Sequence, residues 1–162
     1  MPLLLFFMCC FGGVVVADTW PIFESATGKF QVRTPVPMQQ HADTTATPVG
    51  ELIYHTYVAQ DEEQQIYMLT YCDYPEGSLH SDSTDLVNDF FDATIASAAE
   101  SVQGKVLYIH KDKLQKQHHG KRWRIDYLDG AAIIRTRAFV VGQRYYSVQV
   151  VSRRAGHAAA NR

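Results

Sequence analysis

The sequence is poor in cysteine, and the three it has are badly placed for cross-linking. Cys9 and Cys10 are adjacent near the start, and Cys72 stands alone in the rest of the chain. A disulfide framework needs pairs at separate positions, so the domain must be held by its core. Long apolar runs are also scarce. The longest, Leu3 to Val16, falls short of the ~20 residues a membrane-spanning helix needs. The formal net charge is only −2, which argues against bulk affinity for nucleic acid. There is no H-E-x-x-H, no C-x-x-C, no G-x-S-x-G and no phosphate-binding glycine loop. These absences lead us to expect no enzyme and no cofactor. An enzyme without a familiar motif stays open as an alternative; it would need a deep pocket with convergent polar groups.

What is present suits one exported domain. The 162 residues, 46% apolar and 20% charged, can build a sizeable core. MPLLLFFMCCFGGVVVA reads as a secretory signal peptide (residues 1–17) cut after Ala17, where small residues give way to polar Asp18-Thr19. The expected location is periplasmic or secreted, with membrane contact only through the signal segment. No Lys or Arg precedes the apolar core, so an uncleaved anchor is an alternative. Cys9 and Cys10 suggest a lipoprotein, but bulky Phe6, Phe7 and Met8 stand where small residues would be wanted. A single domain over 18–154 and a flexible polar tail, AGHAAANR over 155–162, complete the division. Cys72, inside IYMLTYCDY, reads as a buried structural thiol with no base spaced to activate it.

Periodicity supplies the elements. In GKFQVRTP, Phe30 and Val32 alternate with polar neighbours, the mark of a half-buried strand, and Trp20, Ile22 and Phe23 lead into it. TPVPMQQHADTTATPVG reads as a loop, because it is rich in proline and small polar residues. ELIYHTYVAQ and QIYMLTYCDY form a hairpin, with apolar residues on both parities and hence both sheet faces covered. A helix is predicted from about Ser83 to Ser101, where Val87, Phe91, Ile95 and Ala98 share a stripe. Four strands follow: KVLYIHKDKL, KRWRIDYL, AAIIRTRAFVV and QRYYSVQVVS. Asp129-Gly130 and Gly142-Gln143 are the turn pairs of an antiparallel meander. The expected class is α+β, with a mostly antiparallel sheet of about six to seven strands and one long helix before the C-terminal four-strand meander.

Four stretches carry a resemblance: W-x-x-F-x-x-x-x-G-x-F-x-V-x-x-P from Trp20 to Pro35, TYCDYP, HHGKRWRI, and RAFVVGQRYYSVQV. Together they resemble the PsbP/Mog1/DcrB-like fold group of small exported domains. The resemblance implies a central antiparallel sheet with helices packed on it, and an accessory or binding role rather than catalysis. Partners in that group differ from member to member, so none carries over.

Charge is segregated along the chain. From Asp18 to Gln103, 14 acidic residues stand against Lys29 and Arg33; from Gly104 on, 13 basic residues stand against Asp112, Asp126 and Asp129. Counting back from an Asp129-Gly130 turn pairs Asp126 with Ile133, Arg124 with Arg135, and Arg122 with Arg137. Four arginines then share one sheet face, while Trp123 and Ile125 take the other. Like charges directly opposite are unfavourable, so a carboxylate should sit over them. The candidates are the helix acids Asp85, Asp89 and Asp92, or an external anion: an acidic protein surface, a polysaccharide or a phospholipid headgroup. A one-residue slip would turn the arginines to the opposite face.

His118-His119-Gly120 reads as the turn before the fifth strand. Neighbours on an extended chain point apart, so a zinc site there would have to recruit His110 or Asp112 from the preceding strand. His55 is expected to be structural, and tyrosines such as Tyr54, Tyr57, Tyr67, Tyr71, Tyr145 and Tyr146 to pack the core and sheet edges. The partner expected on these grounds is a protein or an anionic envelope component, bound at Arg122, Arg124, Arg135 and Arg137; metal binding through His110, Asp112, His118 and His119 is the alternative.

Overall fold

The computed structural model describes residues 20–154; the expected signal segment (1–17) and tail (155–162) lie outside them. Nine strands and one helix follow in the order β1 (Ile22–Ser25), β2 (Phe30–Arg33), β3 (Gln39–Thr47), β4 (Gly50–Gln60), β5 (Ile66–Asp73), α1 (Thr84–Ser101), β6 (Lys105–Leu114), β7 (His118–Tyr127), β8 (Ala132–Val141) and β9 (Arg144–Arg153). Strands β3 to β9 make one antiparallel sheet in the order β3-β4-β5-β9-β8-β7-β6, and β1-β2 is a separate hairpin. The class, the helix and the C-terminal meander are those the periodicity predicts.

Two layers cover opposite faces of the sheet. On one, α1 buries Val87, Phe91 and Ile95, one residue per turn, against Trp123, Ile125, Ala138, Val140 and Tyr145. On the other, the β1-β2 hairpin lays Phe23, Phe30 and Val32 over Tyr57, Leu69, Tyr71 and Tyr146. The rings of Phe30 and Tyr57 meet nearly edge-on at 5.3 Å. Arg144 ties this hairpin to the sheet. Its Nε and Nη2 donate to Asp73 at 2.6 Å each, its Nη1 donates to the Thr27 and Gly28 carbonyls, and its guanidinium lies 4.7 Å from the Tyr71 ring. Gly28 is needed there, since a Cβ would stand 2.4 Å from the Phe30 ring.

Three local expectations are corrected. First, the polar run after Pro37 is not a loop. Gln39–Thr47 is an edge strand paired residue by residue with β4, from Gln39↔Val58 to Thr47↔Gly50. Nearly all of it is exposed, so it carries no apolar period; its strand character comes from pairing with β4. Second, His118-His119-Gly120 is the start of β7, and the turn is Gln115 to Gln117, with Gln115 and Lys116 at positive φ. Gly120 lies under the Phe139 ring, and a Cβ would come within 2.2 Å of the Ala138 carbonyl. The glycine of the HHG run is therefore a packing requirement. Third, the β7-β8 reversal occupies four residues, Leu128 to Ala131. Leu128, Asp129 and Gly130 have φ of 51°, 53° and 83°; Gly130 N–H donates to Tyr127 and Ala131 N–H to Leu128. Lengthening a loop by an even number keeps side-chain parity, so the faces are unchanged.

Candidate functional site: an arginine ladder on the meander

The β7-β8 register is the one counted from sequence: Arg122↔Arg137, Arg124↔Arg135 and Asp126↔Ile133. All four arginines lie on the face opposite α1, because Trp123 and Ile125 between them point into the helix layer. This placement decides the source of the compensating charge. The helix acids are on the wrong side of the sheet. Asp92 pairs instead with the buried Lys121 on the helix face, and Asp85 and Asp89 are exposed.

The meander supplies its own carboxylates. Asp126 shares the parity of Arg124 and takes bonds from its Nε at 2.6 Å and its Nη2 at 3.0 Å; Arg154 Nη2 adds a third at 2.7 Å. Asp112 of β6 accepts from Arg137 Nε at 2.6 Å. Arg135 Nη1 reaches Ser152 Oγ at 3.5 Å. The side chains of Asp126 and Asp112 are only 12% and 16% exposed, so both acids are set among guanidinium groups rather than in open water. The Arg124 bonds, helped by the charges of Arg154 and Arg135, hold the Asp126 carboxyl below the usual range against the opposing effect of burial. Arg122 differs from the other three. It is exposed and has no ion-pair partner among the described residues. The bordering side chains are aromatic or imidazole: Arg137 lies 5.5 Å over Phe139, and Tyr108 stacks on His110 at 5.0 Å.

The metal candidates are not brought together. His110, Asp112 and His118 lie on the arginine face, His119 lies on the helix face, and Asp112 is held by Arg137. Among the described residues no group of three His, Cys, Asp or Glu side chains is arranged to hold a metal. Burial moves the His118 imidazole below the usual histidine range.

The helix face of the same strands carries a second basic feature. A cleft of about 620 Å³ opens beside the start of α1, lined by Lys111, Lys113, His119 and Lys121 with Asn88 and Phe91. Its lining comes from the cross-strand pairs Lys111↔Lys121 and Lys113↔His119. Positive charge therefore sits on both faces at this end of the sheet. Sequence reasoning missed this cleft because His118-His119-Gly120 reads as the turn; with the turn at Gln115 to Gln117, Lys111 falls opposite Lys121 and Lys113 opposite His119. It also missed the Arg144–Asp73 clamp, whose partners are 71 residues apart. Cys72 is fully buried and its thiol is pushed up to about 11, first by desolvation and then by the Asp73 charge. His55 stacks on Tyr71 at 4.6 Å, consistent with a packing role, although its Nδ1 is buried with no hydrogen-bond partner.

No protein-family model, curated protein or solved structure matches the chain.

Proposed function

We propose that this chain is an exported, non-catalytic binding or accessory domain, and that the arginine ladder of β7-β8 receives an anionic envelope component. Membership in the PsbP/Mog1/DcrB-like group belongs to the same reading, and the helix-on-antiparallel-sheet architecture is compatible with it. The observation that carries the proposal is the placement of Arg122, Arg124, Arg135 and Arg137 in two like-charge cross-strand pairs on the face opposite α1. Asp112 and Asp126 offset part of that charge, and exposed Arg122 is left to contact a ligand. A planar guanidinium fork suits carboxylate, sulfate or phosphate oxygens.

Heparin, a sulfated polysaccharide, and vesicles containing phosphatidylglycerol are the probes. Wild-type protein should be retained at low salt and released as salt rises, since exposed charge pairs are screened. Arg122→Glu combined with Arg135→Gln should lower the salt needed for release while the circular-dichroism spectrum stays unchanged. Equal release of the folded double variant and wild type would remove the ladder as the site. Retention lost instead on Lys111→Glu with Lys113→Glu would move it to the cleft.

A further inference from the structure

The sheet has two edges, and they are treated differently. Edge strand β6 carries Lys105, Lys111 and Lys113 and an irregularity at Leu107, features that discourage further strand pairing. Edge strand β3 has none of these. Gln39–Thr47, QQHADTTAT, contains no Lys, Arg or Pro, pairs regularly with β4, and is exposed from Gln39 to Ala46. It is bounded by Pro37 and Pro48, which confine the open edge to one segment. We propose that β3 joins β3 of a second copy of this chain in an antiparallel pair centred on Ala42, fusing two sheets across a twofold axis.

Backbone parity and charge select that centre together. The tight β3-β4 loop makes Thr47 and Gly50 a hydrogen-bonded pair, so the odd-numbered residues of β3 turn their amides and carbonyls to β4. Gln40, Ala42 and Thr44 turn theirs outward. A twofold axis through Ala42 sets Ala42 against its own copy and Gln40 against Thr44, with outward groups meeting outward groups. At the intervening position, where side chains come closest, His41 stands opposite Asp43 of the other copy, and symmetry repeats the contact. An imidazole N–H donating to a carboxylate is a favourable cross-strand pair. The neighbouring choices lose this. An axis on Asp43 opposes two carboxylates, one on His41 opposes two imidazoles, and one on Thr44 leaves His41 against Thr47. An axis between residues would set an outward-facing residue against an inward-facing one, so the bonds could not form. His41 and Asp43 both lie on the face of Tyr54 and Thr56, their β4 partners. Those neighbours are uncharged, so no other charge on β4 competes for the pair.

Sedimentation equilibrium over a range of concentrations tests the idea. The expected result is a concentration-dependent dimer. Ala42→Pro removes an N–H that β4 does not use, and should give a folded monomer. His41→Asp sets acid against acid twice and should weaken the dimer roughly tenfold. Adding Asp43→His to that variant exchanges the partners and should restore affinity to within about threefold of wild type. A wild-type chain that stays monomeric at every concentration overturns the proposal and leaves the edge to a strand of another protein. A dimer that withstands both Ala42→Pro and His41→Asp overturns it too, because the contact would then lie elsewhere. Should Ala42→Pro fail to fold, the exchange pair decides alone: no rescue means this register is wrong. None of these outcomes depends on the arginine ladder.

Discussion

The two faces of the β7-β8 ribbon are made by alternate residues of the same two strands, yet they are held by different physics. Beneath α1, Trp123, Ile125, Ala138 and Val140 are each 1% exposed or less. On the opposite face, Asp126 and Asp112 hold Arg124 and Arg137, Arg135 reaches Ser152, and Arg122 stays exposed. The buried face fixes the register, since a slip of one residue would expose a tryptophan and bury guanidinium groups. The charged face inherits that register. Stability therefore resides mainly on one side, and the other is freer to vary its chemistry.

Trp123→Ala tests the buried side and should have the largest effect. Its ring meets Phe91 of α1 at 6.5 Å, and its loss should cost about 4 kcal/mol in urea unfolding. A loss below ~1 kcal/mol would mean the helix layer does not set the register. Asp126→Asn addresses the charged side. It leaves Arg124 and Arg154 facing a neutral group and should cost about 2 kcal/mol. Combining it with Arg124→Gln should recover part of that loss, and a double-mutant cycle measures how much.

Acid should reveal the same difference. The Asp126 carboxyl titrates below its ordinary range because of Arg124, and Asp73 does so because of Arg144. Both have folded values beneath the unfolded value of ~3.9, so their stabilisation is complete above that pH and is lost as pH falls through the folded values. The melting temperature should drop on that limb, less steeply in Asp126→Asn, with little change between pH ~5 and ~7. Identical acid limbs in the two proteins would deny Asp126 its role. The smallest change in stability is expected for Arg122→Glu, within ~0.5 kcal/mol of wild type, although retention on heparin should fall. A large destabilisation would instead make Arg122 part of the scaffold.

The ladder register was readable because strand alternation and one Asp-Gly pair suffice to count it, and the longer real loop preserved parity. Asp126 has the parity of Arg124 and so its face could be counted, but the sequence points to the helix acids Asp85, Asp89 and Asp92 for the compensating charge instead. What sequence could not show was the face α1 would take: the helix has acids and apolar residues alike, and only packing places it over Trp123. Asp112 was hidden because the HHG run reads as a turn; only with the reversal at Gln115 to Gln117 does β6 set His110 opposite Arg122 and Asp112 opposite Gly120, on the arginine face. Strand β3 was hidden for another reason. Its polar, threonine-rich composition resembles a loop until β4 offers a template.

The sheet order carries one more consequence. Strand β9 comes later in the chain than any other described strand, yet it lies between β5 and β8, with Ile66 opposite Val151. A growing or threading chain could form β3-β4-β5 and β6-β7-β8 as separate pieces, but could not join them until Arg144–Arg153 arrives. Closure of the whole should therefore be a late step, limited by long-range encounter rather than by local structure. Until then the halves are joined only by the segment that carries α1, and the unpaired edges of β5 and β8 would be open to a protease.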